Sequence, residues 1–419
     1  MTVTTDIGFV APEPGLTREE LVRRARALRP RLLADQDTVE TDGRHSPEMH
    51  QAFAESGFYR MLRPRRFGGY EVDIKTYVQV VMEIARGCPG TAWCLALASA
   101  HSVPLAAWFS ETAQAEAFAP DVEFAAPTRA VPRGTVRPVD GGWRVDGTWD
   151  YCSGSPYSTH ALVWARVAGD GPQAGRTKLA LVPRSGWTLL DDWRDRAFGM
   201  RGSGSNSIEI DGAVVPAHFV IDDPYPYGEN AQTPGFLLHD NPMYAVEPGM
   251  LGPLEINAVL VGTARAALDE YERILRTKKA PGGISGPSGN VIDATLSETH
   301  DFQRWFGLAT ARVEAAERLL LGVSEDLTRA CVEATTDGRG WKWEDVGRFN
   351  LVRHQSIELG WQAVDLMYRT SGTSEGGRAG SRLNRYYRDY SMGRTNIFAD
   401  EEKFGEDYGR AHFAAPPAR

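Results

Sequence analysis

The spacing of apolar residues changes twice along the chain. Up to about residue 122 it follows a period of three to four, over roughly 123–222 it shortens to two, and from 223 onward the helical period returns. In the first segment Thr17, with Glu20 three positions on, marks the start of a helix that runs past Leu33. Further helices are predicted after Ser46-Pro47, ending near Gly57, and over 77–85 and 91–108. In the middle segment the runs 161–167, 178–183 and 207–215 alternate and are punctuated by Gly and Pro, which predicts antiparallel strands. Trp143, Val145, Trp149 and Tyr151 share one face at period two, with Asp146-Gly147 between them as a two-residue hairpin signal. In the last segment Val261, Ala264, Leu268, Tyr271 and Leu275 keep helical spacing, as do Val346, Phe349, Val352, Leu359 and Leu366. A long helix over 296–334 lies between them, a Gly- and Pro-rich loop covers 281–289, and a last helix over 382–392 completes a four-helix bundle. The expected architecture is α+β: an N-terminal helical domain (1–122), a barrel-like β domain (123–222) and a C-terminal helical bundle (223–419).

Composition narrows the class of partner. With 419 residues, 42% hydrophobic and 24% charged, the chain can form two or three globular domains with substantial cores. No apolar run reaches the roughly 18 residues of a membrane span, and the N-terminus has no basic-then-apolar signal, so a cytoplasmic protein without membrane contact is expected. The formal net charge of −9, with basic residues dispersed among acids, argues against nucleic acid and in favour of small molecules. Cys88, Cys94, Cys152 and Cys331 form no CxxC pair and no metal-ligand spacing, so reduced thiols and no metal are expected.

Two short segments carry candidate chemistry. The strand signal at 142–151 runs into Ser153-Gly154-Ser155, where hydroxyls and small residues let the backbone approach a planar polar ligand. The second, Gly199-Met200-Arg201-Gly202-Ser203-Gly204-Ser205, offers N–H and O–H donors to an anionic or carbonyl-rich ligand. No G-x-G-x-x-G follows a predicted strand, so no nicotinamide-binding unit is evident.

Trp149-Asp150-Tyr151-Cys152-Ser153-Gly154 resembles the flavin-contacting strand of the acyl-CoA dehydrogenase superfamily, and more narrowly that of the flavin-dependent monooxygenases built on its fold. Further matches follow family order: the loop from Gly57 to Gly69, the Gly-Met-Arg-Gly-Ser segment with its following strand and Val215-Pro216, and Ser371-Gly372-Thr373 with Arg385 and Arg388-Asp389. The resemblance covers roughly residues 20–410. It implies an acyl-CoA dehydrogenase-like fold and a flavin site contacted by Trp149, Tyr151, Cys152, Ser153, Arg201, Ser203 and Ser205. It also implies a homotetramer and reduced FMN or FADH2 supplied by a separate flavin reductase. O2 would then be activated as a flavin C4a-hydroperoxide to hydroxylate a small aromatic or polycyclic substrate. Ser153 would orient the flavin edge, and His101 matches a histidine beside flavin and substrate whose side chain titrates near neutral pH. Where relatives carry a second histidine this chain has Asn396, a hydrogen-bonding group that exchanges no proton. The dehydrogenase base expected eight residues after Asp389 is replaced by Ile397, which favours oxygenation. An N-oxygenase of an amine or amino sugar, an acyl-CoA dehydrogenase, and a binding protein that kept the fold are the alternatives.

Overall fold

The computed structural model describes residues 9–224, 231–285, 291–336, 340–396 and 399–414. The N-terminal part holds α1 (Arg18–Asp42), α2 (Pro47–Glu55), α3 (Ile74–Gly87), α4 (Pro89–Ala100), α5 (Ser102–Trp108) and α6 (Glu111–Ala117). Thr17 and Ser46 cap α1 and α2 as their positions imply, each side chain accepting a backbone N–H three residues on. The continuous helix expected over 91–108 is broken. Pro104 has no N–H to donate back to Ala100 and its ring crowds that carbonyl, so α4 stops and α5 restarts with His101 at the joint.

A seven-stranded sheet follows: β1 (Thr128–Val139), β2 (Gly142–Trp149), β3 (His160–Val167), β4 (Thr177–Pro183), β5 (Thr188–Leu189), β6 (Ile208–Val215) and β7 (Val220–Asp222), in spatial order β5-β6-β2-β1-β3-β4-β7. The expected hairpin at Asp146-Gly147 does not form. β2 runs unbroken through that dipeptide, and the chain turns instead at Asp140-Gly141, where Val139 pairs with Gly142. Gly147 sits opposite Gly134 at a register shift against β6, and the Trp149 ring covers both glycines; a Cβ on Gly134 would lie 2.4 Å from that ring. The sheet is also mixed rather than wholly antiparallel, because β3 pairs with β1 in parallel. β2 and β3 flank β1, so the segment 150–159 between them must cross the N-terminal end of β1. That crossing carries Tyr151 and Ser153.

The C-terminal part contains α7 (Pro234–His239), α8 (Pro248–Thr277), α9 (His300–Thr336), α10 (Trp343–Ser371), α11 (Arg382–Gly393) and α12 (Glu401–Ala414). Helices α8, α9, α10 and α11 match the expected bundle; α12 was not anticipated, and it packs closely on α10, where a Cβ on Gly347 would lie 3.0 Å from Tyr408. The predicted loop over 281–289 lies partly outside the described residues. Helices α3 and α8 join the two helical parts through a close approach at Gly262 and through Arg86, which reaches Asp269 at 2.5 and 2.8 Å. Among the described residues, no helix is long and apolar enough to cross a membrane.

Candidate active site

Where α4, α5, α8 and the end of α11 meet the sheet there is a cavity of about 420 Å³, within the size range of small-molecule sites. Each element presents one face at its own period. Trp93 and Leu97 lead to His101 along α4, Leu251, Gly252 and Glu255 recur along α8, and Leu162 and Trp164 alternate on β3. Trp108 and Trp193 add two more indoles, so the walls are largely aromatic and apolar. The polar groups that face inward are few.

One set is a chain of hydroxyls. Trp93 Nε1 donates to Ser153 Oγ at 3.0 Å, Ser153 Oγ lies 2.8 Å from Ser205 Oγ, and Ser205 Oγ lies 2.6 Å from Ser203 Oγ. The three serines are buried, yet all line the cavity. Backbone bonds from Gly154 N–H to the Ser203 carbonyl (3.2 Å) and from Cys152 N–H to the Asn206 carbonyl (3.2 Å) fix the two loops against each other. The second loop is braced from behind by the Arg-Asp motif. Asp389 Oδ1 accepts Met200 N–H at 2.6 Å, while Arg385 and Arg388 both bind Glu40 on α1. Burial pushes the Asp389 carboxyl up to about 6.

At the joint between α4 and α5, His101 Nδ1 contacts the Ala126 carbonyl at 2.7 Å. A carbonyl only accepts, so Nδ1 carries the proton and Nε2 keeps its lone pair. Nε2 lies 3.9 Å from Glu255 Oε2. Both side chains are buried and line the cavity. Burial drives His101 down to about 4 and Glu255 well above the usual carboxylate range, so the pair is neutral and not an ion pair. The expectation that His101 titrates near neutrality is thereby corrected, since its indole- and aliphatic-lined setting disfavours the cation.

Of the site residues read from sequence, His101, Tyr151, Ser153, Ser203, Ser205 and Asn396 line this one cavity. Trp149, Cys152 and Arg201 do not. Trp149 is buried in the sheet with Nε1 on the Trp164 carbonyl (2.9 Å), Cys152 Sγ bonds the Trp149 carbonyl (3.4 Å), and Arg201 Nε bonds the Ala197 carbonyl (2.9 Å). Their side chains shape the loops from outside the cavity. Tyr151 leaves the strand with φ 55°, and its ring sits at the mouth, edge-on to Trp193 at 5.7 Å and beneath Arg129 at 5.6 Å. All four cysteines are free and buried, with Cys152 pushed up to about 12. Ile397 lies outside the described residues. A carboxyl group is nevertheless present in the cavity: Glu255, which sequence reading missed. Its signal was a lone acid in the apolar run 251–261.

The donor set fits a flavin. Three hydroxyls with two contacts between them leave one O–H proton to give to a ligand, and Trp93 already supplies the terminal bond at Ser153. One outward donor on a wall of fixed loops, facing aromatic rings, suits the carbonyl- and nitrogen-bearing edge of a flat apolar ring system.

Helices, mixed sheet and helices closing on such a cavity define an acyl-CoA dehydrogenase-like protein. The profiles of the acyl-CoA dehydrogenase N-terminal and C-terminal domains match residues 17–122 and 254–401. The chain is 31% identical over 397 residues to a pigment production hydroxylase of Rhodococcus sp. (strain ATCC 21145), covering 94% of this chain and 96% of that protein. It is 27% identical to the oxygenase subunit HsaA of a flavin-dependent monooxygenase from Rhodococcus jostii (strain RHA1), covering 94% and 98%. It superposes on the crystal structure of 3-HSA hydroxylase from Rhodococcus sp. RHA1 with a TM-score of 0.81 at 26% identity, over 96% of this chain and 98% of that one. The chain belongs to the flavin-dependent monooxygenases of the acyl-CoA dehydrogenase fold.

Proposed function

We propose that the chain is the oxygenase component of a two-component hydroxylase that acts on a small aromatic or polycyclic substrate, using reduced FAD or FMN delivered by a separate reductase and O2. The observation that carries this reading is the pairing, in one aromatic-walled cavity, of the Trp93–Ser153–Ser205–Ser203 hydroxyl chain with the neutral His101–Glu255 pair. Reduced flavin supplies the two electrons that make O2 reactive toward carbon. The protein's own part is positional and protic. Ser153, with Ser203 and Ser205, holds the polar edge of the flavin, while the indoles of Trp93, Trp108, Trp164 and Trp193 exclude water and accept a flat ring. His101 Nε2, with its lone pair facing the cavity, accepts the proton of a substrate hydroxyl. Asn396 lines the same cavity with an amide. The position where the resemblance puts a dehydrogenase base is Ile397, which carries no carboxylate and so speaks against dehydrogenation.

The test supplies anaerobically reduced FAD or FMN to the purified protein, admits ¹⁸O2 with a panel of phenols, and reads ¹⁸O in product by mass spectrometry. Label in a hydroxylated product is expected. Tight retention of oxidised flavin with bleaching by an acyl-CoA would refute the reading in favour of dehydrogenation. Assembly as a homotetramer is part of the proposal, supported by exposed Leu308, Val332, Trp343 and Val352 on α9 and α10. Light scattering should give about 184 kDa, four times 46.1 kDa, and a 46.1 kDa species at micromolar concentration refutes it.

A further inference from the structure

The Glu255 carboxyl is the one acid in a stretch of α8 that otherwise carries Leu251, Leu254, Ile256, Val259 and Leu260. Burying it there is costly unless it serves something. No Lys or Arg contributes to its ionisation; burial is the sole cause of its shift. Among the described residues two titratable groups interact with it. Tyr77 on α3 has its hydroxyl committed to the Ala96 carbonyl at 2.8 Å, which leaves His101 Nε2, 3.9 Å away across the cavity wall.

That gap is too long for a direct hydrogen bond and suited to an oxygen between. An oxygen about 2.8 Å from each atom would meet the two at an angle of about 90°, within hydrogen-bond geometry at a hydroxyl. The two partners are also complementary in sign. His101 Nε2 only accepts, because Nδ1 is held as donor by the Ala126 carbonyl. A hydroxyl placed there must donate to His101 and therefore has a lone pair facing Glu255.

We propose that Glu255 is the second member of a two-point substrate clamp, its carboxyl O–H donating to the same hydroxyl oxygen whose proton His101 Nε2 accepts. The proposal rests on the hydroxylase reading and narrows its substrate to one that carries a phenolic hydroxyl. In the protic step the substrate O–H bond breaks, an Nε2–H bond forms, and the phenolate oxygen keeps the electron pair while accepting from Glu255. No electron leaves the substrate in that step. The negative charge gained by the oxygen is offset by the imidazolium and by a short, charge-assisted bond from the carboxyl. Glu255 touches substrate and is in that sense catalytic; a simple ether in the same place can accept from Glu255 but gives His101 nothing to accept.

The test is equilibrium binding of 2-naphthol and its oxygen-free counterpart, 2-methylnaphthalene, to the full-length protein. The quantity decided on is the ratio of the two dissociation constants. Wild type should prefer 2-naphthol by at least about tenfold, the lower range for a hydroxyl that satisfies two buried partners. Glu255→Gln, whose amide N–H still donates, should keep that preference, and Glu255→Met, similar in size but without a donor, should lower the ratio about fivefold or more while the contact to His101 remains. Any other pattern of ratios overturns the proposal, including a wild type that does not discriminate and a Met variant that keeps the wild-type ratio. The two readings fail separately. The expected ratios without ¹⁸O-labelled product refute the hydroxylase and leave the clamp; labelled product with a flat ratio refutes the clamp and leaves the hydroxylase.

Discussion

Replacing Ser153 by Ala removes one oxygen from a chain whose proton count the geometry dictates. Ser153 Oγ accepts the Trp93 N–H at 3.0 Å and bonds Ser205 Oγ at 2.8 Å, so its loss orphans a buried indole donor and cuts the chain to Ser205 and Ser203. An unsatisfied buried N–H costs about 1–3 kcal/mol, which should appear as lower stability of the flavin-free protein. Reduced flavin loses the bond at the Ser153 end, and a lost hydrogen bond of about 1–3 kcal/mol corresponds to a roughly 5- to 150-fold weaker dissociation constant. Anaerobic titration with reduced FAD and reduced FMN measures that constant, and hydrogen peroxide released per product formed measures how well the ligand is held during turnover. Ser158→Ala separates local damage from contact. Ser158 is buried in the same crossing segment, but its hydroxyl is donated to the Gly154 carbonyl at 2.9 Å and does not line the cavity. It should cost stability and leave flavin affinity within about twofold. If Ser153→Ala binds reduced flavin as wild type does and couples as well, or if Ser158→Ala weakens binding equally, the hydroxyl chain is not a flavin contact.

Three further outcomes follow from the structure. His45 is buried, neither ring nitrogen has a hydrogen-bond partner among the described residues, and burial lowers it from 6.5 to about 3. Below pH 6.5 the unfolded chain takes up a proton that the folded one refuses, so His45→Phe should gain about 2 kcal/mol on wild type between pH 7.5 and pH 5 in denaturant titrations, and a pH-independent difference would refute this. Tyr151 holds φ 55° without a glycine's freedom, so Tyr151→Gly should raise stability by about 1 kcal/mol while opening the mouth and increasing peroxide release; a destabilised or fully coupled variant refutes the gate. Asp389→Ala strands the Met200 N–H and should weaken reduced-flavin binding through the 199–205 loop, whereas Asp389→Asn, which keeps an acceptor oxygen, should restore most of it; equal affinities in the two variants would show that the brace does not reach the site.

The helices and strands were legible because their periodicity is local. The hairpin was not. Asp140-Gly141 and Asp146-Gly147 are the same dipeptide six positions apart, and both follow alternating residues. What selects the first is the Trp149 ring lying across Gly134 and Gly147, a contact between two strands that no window of ten residues contains. Trp149 stood among the flavin contacts that the resemblance implied, whereas its indole is spent on the Trp164 carbonyl and lies outside the cavity. Ser153, Ser203 and Ser205 fared better, because a run of small hydroxylated residues after a strand has few structural uses and the two loops meet through their own backbone bonds.

Asn396 shows how a site can be misjudged residue by residue. Its identity suggested that a proton carrier had been lost from the cavity, since an amide there exchanges nothing near neutral pH. The cavity nevertheless contains a histidine and a carboxyl group, contributed by elements 154 positions apart in sequence and brought to 3.9 Å. His101 faces inward because Pro104 breaks the helix at its carboxyl side, and Glu255 does because its helix repeats a residue onto the cavity wall every three to four positions. Neither cause is visible at residue 396. A proton inventory of this cavity therefore has to be taken over its whole lining. On that inventory, the chain keeps two groups able to hold one substrate proton: a base with its lone pair exposed and an acid held neutral by burial.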